Sequence, residues 1–235
     1  MENKDKKRVI LGVAAHPDDL EFGASGTFAK WAQTGAECYY LICADGSKGS
    51  GDPNITPEKL IRIRQKEQID AGKILGLKNV FFLDYPDTEL VPNLDVKRDI
   101  VRYIRMLKPD TVVTLDPTMV YSISRNSVNH TDHRAVGIAA MDAVFPLARD
   151  RLTFPEQEVE GLSPHKVKYL YFVNFDNYNE IVDITPSFDI KIKALTAHKS
   201  QIKDEHVKIT TERAMELGKK NGVKYAEGFV KITLR

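Results

Sequence analysis

Val9-Ile10-Leu11-Gly12-Val13-Ala14-Ala15-His16-Pro17-Asp18-Asp19, followed by Glu21, is the stretch that decides how this chain is read. Residues 9–15 form a short, continuous apolar run of β type, the pattern of a strand buried on both faces. The run ends in an imidazole and two carboxylates. A strand that delivers such side chains at its C-terminal edge places them where open α/β sheets bind ligands. A second apolar run, Thr111-Val112-Val113-Thr114-Leu115, precedes His130-Thr131-Asp132-His133. Each cluster alone could be a turn or a solvated helix start, because Pro and Asp are turn formers. Together, after two strands of one parallel sheet, they point to a single catalytic metal site.

Outward from these stretches, strand and helix patterns alternate through the first 145 residues. Residues 9–15, 38–43, 80–83 and 111–115 read as strands. Residues 23–33, 57–75 and 96–107 read as helices. Thr56 before Pro57 is an N-cap followed by proline at the first helical position, and Gly76 is the stop. Such alternation implies right-handed βαβ crossovers and a parallel sheet. Two long segments, 116–129 and 146–166, interrupt the rhythm and read as functional or mobile loops. Beyond residue 168 the pattern becomes mixed: strand-like 169–173 and 181–184, helical 188–198 and 207–219, and a strand-like tail 229–234. No repeat or linker divides the chain, so residues 1–235 read as one domain. Residues 1–145 form its Rossmann-like portion and residues 146–235 a C-terminal α+β extension.

Composition bounds the function. The chain has 235 residues, 42% apolar and 29% charged, with a net charge of +1. That balance gives no electrostatic reason to expect nucleic acid or an anionic membrane as partner. No apolar run reaches the length of a spanning helix, and the charged N-terminus leads straight to His16 without a cleavage signal. Cys38 and Cys43 are five residues apart on one strand and face opposite sides. They read as two reduced core thiols of a cytoplasmic protein. The Gly-rich loop 45–54 lacks any phosphate-binding fingerprint and reads as a lid. Trp31 reads as core, His165 and His206 as surface.

Catalytic zinc takes three protein ligands and keeps one position for water. His16, Asp19 and His133 can supply the three, and Pro17 stiffens the turn that carries two of them. Asp18, adjacent to a ligand, is placed to act as general base. His130 lies three residues before His133, so a helix starting there puts both imidazoles on one side. His130 could then hold a developing oxyanion or protonate a leaving amine. Asp132 would orient a ring nitrogen.

Ala15-His16-Pro17-Asp18-Asp19-x-Glu21, then Phe22-Gly23-Ala24-Ser25-Gly26-Thr27 and the later His-x-Asp-His, resembles the PIG-L/LmbE-like deacetylase family. Arg64-x-x-Glu67 with Ala71 and Leu75-Gly76, Tyr85-Pro86-Asp87, and Ala197-His198-x-Ser200-Gln201 resemble further segments of it. The resemblance spans residues 8 to 201. It implies an α/β fold with a Rossmann-like, mostly parallel sheet flanked by helices. The implied activity is zinc-dependent removal of N-acetyl groups from glucosamine-type sugars. By motif, His16, Asp19 and His133 would be zinc ligands and Asp18 the general base. His130 would stabilise the tetrahedral intermediate with Asp132 tuning it, and Arg64 and Asp87 would contact the sugar or its aglycone. A His/His/Asp set also accepts Fe2+, cobalt or manganese. Relatives often form trimers or hexamers, so a homo-oligomer is expected, with 139–147 as core or interface. His198 and Ser200 fit a site, a subunit contact or a helix end.

Two positions depart from the family pattern. Thr131 stands for a Pro and Ser25 for a Gly, and neither removes a catalytic group. The oxyanion-assisting Tyr of some relatives has no counterpart, and Tyr121 is the substitute. Two alternatives share these residues. One is an amidase or deacetylase of a low-molecular-weight thiol precursor or conjugate, of bacillithiol or mycothiol type. The other is a non-catalytic metal- or nucleotide-binding module, against which the missing glycine fingerprint and the intact Asp18 and His130 both weigh.

Overall fold

The computed structural model describes residues 7–123 and 125–235. Strand β1 (Val9–Ala14) is followed by a short helix α1 (Asp19–Gly23), helix α2 (Ser25–Gln33) and strand β2 (Glu37–Ala44). Helix α3 (Pro57–Leu75) leads to β3 (Asn79–Tyr85), and α4 (Leu94–Leu107) leads to β4 (Thr111–Leu115). A small hairpin, β5 (Tyr121–Ser122) and β6 (Ser127–Val128), precedes α5 (Thr131–Asp142). The remainder comprises α6 (Pro155–Val159), β7 (Tyr169–Val173), β8 (Glu180–Asp183), α7 (Phe188–Leu195), α8 (Asp204–Lys220) and β9 (Ala226–Thr233).

One sheet has the order β3-β2-β1-β4-β7-β9-β8. The first five strands run parallel, and β9 is antiparallel to both its neighbours. The fold is α/β and Rossmann-like, and the C-terminal extension adds its strands to the same sheet. Strand order reverses at β1: the chain goes to β2 and β3 on one side, then returns to β4 on the other. A crevice therefore opens beyond the C-terminal ends of β1 and β4. The segments after these two strands carry His16 and His130.

Local chemistry accounts for the boundaries. Thr56 Oγ1 accepts the Lys59 N–H at 3.3 Å, and Gly76 closes α3 at φ 79°, a left-handed turn that suits a residue without Cβ. Asn93 Oδ1 accepts the N–H groups of Asp95 and Val96, both at 3.1 Å, and so starts α4. Val96, Ile100 and Ile104, spaced by one turn, bury that helix against the sheet. Strands β1 and β4 are buried along nearly their whole length, as their unbroken apolar sequences require. Trp31 packs edge-on against Phe28 and Tyr171 in the core. Cys38 and Cys43 are buried and unpaired.

The helix expected over 23–33 begins at Ser25, and a further short helix, not expected, precedes it. The chain breaks at Ala24 (φ −139°, ψ −13°), with α1 before it and α2 after it. The backbone groups released by the break are held by a buried ion pair from the far end of the chain. Lys191 Nζ donates to Glu21 O at 2.7 Å, Phe22 O at 2.9 Å and Glu227 Oε1 at 2.8 Å. The Glu227 carboxylate in turn accepts Gly26 N–H at 3.0 Å and Thr27 N–H at 2.8 Å, a charge at a helix N-terminus. Gly23 is required at the break, since a Cβ there would lie 2.2 Å from Val173 Cγ1.

The two long segments differ. Residues 116–129 carry the hairpin and wall the crevice. Residues 146–166 contain α6 and line no part of the crevice cavity. They are tied down by the fully buried Arg105, whose guanidinium donates to the carbonyls of Leu147, Ala148, Asp150, Thr153 and Phe154. Within 139–147, Ala139, Ala140, Ala143 and Val144 are buried core, whereas Met141, Phe145 and Pro146 are exposed. Among the described residues, no helix is long and apolar enough to cross a membrane.

Candidate active site

The turn after β1 is built around Asp18, a non-glycine residue at φ 101°. Left-handed backbone costs about 1–3 kcal/mol and persists only where its surroundings enforce it. Helix α3 does so from one face. Gln68 Oε1 accepts the Asp18 N–H at 3.0 Å, and Arg64, one turn earlier, donates from Nη2 to Asp18 Oδ2 at 3.2 Å and to Pro17 O at 2.8 Å. Gln68 also donates to Glu21 Oε1 at 2.9 Å, and Glu21 Oε2 lies 3.8 Å from His198 Nε2. A buried polar chain thus backs Asp18. His198 is 1% exposed and belongs to this chain, not to a surface. Ser200 donates from both N and Oγ to Glu67 (2.8 and 2.6 Å), fastening the late Ala-His-x-Ser-Gln segment to α3.

Asp19 closes the turn. Its Oδ2 accepts the N–H groups of Ala15 at 3.0 Å and His16 at 2.8 Å, and its Oδ1 faces His133 Nε2 at 2.9 Å. His16 is fixed from behind: Nε2 contacts Asp87 Oδ1 and Asp132 Oδ2, both at 3.1 Å, while Nδ1 lies 3.8 Å from Asp19 Oδ2. His133 Nδ1 contacts Asn129 Oδ1 at 3.0 Å, and Asn129 donates to Met119 O at 2.6 Å. Each histidine therefore has one nitrogen held by a polar partner and the other turned toward Asp19, as metal-binding histidines are arranged.

His130 caps α5, its Nδ1 accepting the Asp132 N–H at 3.1 Å. That bond places the ring proton on Nε2. Its pKa is lowered by burial and by the nearby His16 and His133, so the ring is a neutral N–H donor near pH 7. One nitrogen of each of His16, His130 and His133 lies within 4.8 Å of the others.

The sequence-predicted residues thus converge, with two placements that the motifs did not indicate. Asp132 is fully buried, and its carboxylate holds His16 and the Thr88 N–H (2.7 Å); only its backbone meets His130. Arg64 and Asp87, assigned by resemblance to the sugar, are 5% and 4% exposed. Arg64 is spent on Asp18, Pro17 and Gly46; Asp87 is spent on His16 and on the Lys48 N–H at 3.0 Å. Gln68, Asn129 and Thr88 were not singled out from the sequence. Gln68 alone carried a signal, its one-turn spacing from Arg64.

Electrostatics favour a cation here. Asp18, Asp19, Asp87 and Asp132 are each 9% exposed or less, with Arg64, among the described residues, as the one permanent cation whose side chain is hydrogen-bonded to any of them. Burying that much negative charge requires compensation. Burial disfavours a charged His16, yet Asp132, Asp19 and Asp87 outweigh it and push its pKa up to about 12. Burial raises Asp18 to about 6 against the pull of Arg64, within the range suited to a general base. Tetrahedral zinc with bonds near 2.0–2.1 Å sets its ligands about 3.3 Å apart. The Asp19 Oδ1–His133 Nε2 separation of 2.9 Å is near that spacing. A His/His/Asp donor set fits a divalent cation.

From Asp19 and His133 a cavity runs outward beneath the β5–β6 hairpin, walled by Tyr121, Asn129, Phe175 and Arg213 among others. Tyr121, the expected substitute for the missing tyrosine, lines this cavity and is 64% exposed.

Comparison with known proteins places this geometry. Diacetylchitobiose deacetylase of Thermococcus kodakarensis is 31% identical over 95% of this chain and 82% of its own. A probable N-acetyl-alpha-D-glucosaminyl L-malate deacetylase 2 of Bacillus anthracis is 28% identical over 83% of this chain and 82% of its own. The solved N,N'-diacetylchitobiose deacetylase of Pyrococcus horikoshii superposes with a TM-score of 0.88 at 31% identity, covering 96% of this chain and 84% of that one. The family model for PIG-L, described as GlcNAc-PI de-N-acetylase, matches residues 11–144. That span holds both polar clusters, helix α3 and Asp87, and the chain belongs to the PIG-L family of de-N-acetylases.

Proposed function

We propose that the protein is a zinc-dependent hydrolase that removes the N-acetyl group from an N-acetylglucosamine-type sugar or conjugate. The supporting observation is how the polar atoms around His16 and Asp19 are apportioned. Asp87 and Asp132 take His16 Nε2, and two backbone N–H groups take Asp19 Oδ2. His16 Nδ1, Asp19 Oδ1 and His133 Nε2 are left for a cation, with Asp18 beside them and outside the set. Zinc bound there would polarise the acetyl carbonyl and activate water at neutral pH; Fe2+, cobalt and manganese suit the same donors.

The chain's own groups supply the rest. Asp18, oriented by Arg64 and Gln68, takes a proton from the attacking water. The neutral Nε2–H of His130 donates to the oxygen on which negative charge develops as the acetyl carbon becomes tetrahedral. Breaking the C–N bond releases acetate and a free amine, which receives the proton. Asp132 and Asp87 act through His16, and Asn129 acts through His133. An intact Asp18 and His130 disfavour a non-catalytic metal-binding module.

The test is amine release from N-acetylglucosamine, diacetylchitobiose and malate-linked N-acetylglucosamine. Zinc-loaded protein is compared with a chelated control, Asp18→Ala and His133→Ala. Release that is abolished by chelation, lost in Asp18→Ala with its zinc retained, and lost in His133→Ala together with the zinc is the expected result. Full activity of Asp18→Ala, or full zinc occupancy of His133→Ala, would overturn the assignment. The two buried thiols support a cytoplasmic setting. The exposed Tyr121, Ile123 and Val128 of the hairpin segment support contact with another copy of the chain, and light scattering would distinguish such an oligomer from a monomer.

A further inference from the structure

Glu21, on α1 behind the active-site turn, is fully buried, yet only one of its carboxylate oxygens is hydrogen-bonded. Oε1 accepts Gln68 Nε2 at 2.9 Å, and Oε2 has no hydrogen-bond partner. A buried carboxylate in that state is costly unless a positive group stands near it. Two cations close by are engaged elsewhere. Arg64 donates to Asp18 Oδ2, and Lys191 meets Glu21 only at its backbone carbonyl while its charge meets Glu227 at 2.8 Å. Among the described residues, His198 is the basic side chain within ion-pair reach of Oε2, its Nε2 3.8 Å away.

The segment carrying His198 is fastened in that approach. It follows α7 and closes on itself: His198 N–H donates to Leu195 O at 3.2 Å, and His198 O accepts the N–H groups of Gln201 at 3.0 Å and Ile202 at 2.8 Å. Ser200 binds Glu67, the neighbour of Gln68 on α3. The His198 ring is 1% exposed, and neither ring nitrogen has a hydrogen-bond partner. Burial disfavours charge on the ring, but Glu21, Asp18 and Glu67 outweigh it and raise the pKa above the usual value, so a positive ring opposite Glu21 is favoured. The Gln68 amide turns that contact into an effect on Asp18. Its oxygen accepts the Asp18 N–H only with its NH2 on the other side, where Glu21 Oε1 receives it. The reversed amide would set N–H against N–H at Asp18, whose left-handed backbone the Gln68 bond helps enforce.

We propose that His198 is a positioning residue for the hydrolysis: by fixing the Glu21 carboxylate, it holds Gln68 in the orientation that keeps Asp18 aimed at the attacking water. The imidazole lines no part of the active-site cavity and acts through two intervening side chains. This rests on the hydrolase reading above and adds a residue to it. A ring that only filled volume would be replaceable by any side chain of similar size, whereas a ring that fixes Glu21 needs a nitrogen at the place of Nε2.

The experiment compares three variants of the zinc-loaded protein. His198→Gln places an amide nitrogen near the position of Nε2, His198→Asn stops short near Nδ1, and His198→Phe keeps a ring and removes both nitrogens. For each, kcat, KM and zinc content are measured on whichever of the three glucosaminides above the unaltered protein hydrolyses fastest. Exchange of the Asp18 amide hydrogen, followed by NMR, reads the Asp18–Gln68 bond without any turnover. His198→Asn and His198→Phe should each lower kcat about tenfold, with KM within about twofold and zinc retained. Both should speed Asp18 exchange about tenfold or more, and His198→Gln should stay within about threefold of the unaltered protein in kcat and exchange. Adding Gln68→Leu to His198→Asn should cost no more than Gln68→Leu alone, because both act on one chain of contacts. Full kcat or unchanged Asp18 exchange in His198→Asn, equal losses in His198→Gln and His198→Asn, or multiplying losses in the double variant would overturn the proposal. If no substrate releases acetate, the hydrolase reading fails, and the exchange comparison alone decides whether His198 holds the turn.

Discussion

The buried pair Lys191–Glu227 sets the geometry of the active-site turn from the opposite end of the chain, and Lys191→Met tests this. Methionine fills the volume of the lysine stem and deletes the ammonium. Glu21 O keeps a second donor, Ser25 Oγ at 3.0 Å, but Phe22 O loses its ammonium donor and Glu227 its counter-charge. Breaking a buried ion pair by removing one partner costs about 3–5 kcal/mol. Glu227 retains the N–H groups of Gly26 and Thr27, and the N-terminus of α2 still favours its charge by about 0.3–2 kcal/mol. The expected loss is therefore at the lower end, about 3 kcal/mol. For a chain of this size each kcal/mol lowers the Tm by about 2–4 °C, which gives a fall of roughly 6–12 °C. Neutralising the orphaned acid in the double variant Lys191→Met/Glu227→Gln should recover at least about 1 kcal/mol of that loss. Thermal unfolding of the zinc-loaded protein followed by circular dichroism measures both. A fall below about 2 °C in the single variant, or a double variant no more stable than the single, would refute the role assigned to the pair.

Asn129→Ala removes the acceptor that orients His133, and metal affinity in competition with a chelator should weaken by about 10–100-fold; unchanged affinity would show that His133 needs no such support. Gln68→Leu releases the strained Asp18 backbone, so kcat should fall about tenfold or more with zinc content unaltered; a change confined to KM would refute a positioning role. Gly23→Ala forces a Cβ to 2.2 Å from Val173 Cγ1 and should cost about 1–3 kcal/mol in urea unfolding. Val173→Ala in the same chain should restore some of that, and a fully stable single variant would mean that α1 moves freely over β7.

Much of this protein is legible in its amino-acid order because the signals are local. Unbroken apolar runs marked β1 and β4 as central strands. Thr56, Pro57 and Gly76 bounded α3 to the residue. The alternation of strand and helix announced a parallel sheet, and a parallel sheet brings the C-terminal ends of β1 and β4 together, so His16, Asp18, Asp19, His130 and His133 could be named before any geometry was known.

What only the tertiary structure decided involves partners distant in sequence. The break at Ala24 exists because a lysine and a glutamate some 170 and 200 residues away satisfy its backbone groups, and no local propensity encodes that. The 146–166 segment looked like a functional loop because it lacks periodicity; it is a structural one because Arg105, on another helix, collects its carbonyls. Arg64, Asp87 and Asp132 carried the motif of a site without saying which atoms they meet. Burial turned them inward, onto Asp18 and His16, and left the hairpin, Phe175, Arg125 and Arg213 to form the cavity wall. Chemistry held in a short turn after a strand can be read from order alone; orientation, charge balance and cavity walls depend on contacts made only when the sheet closes.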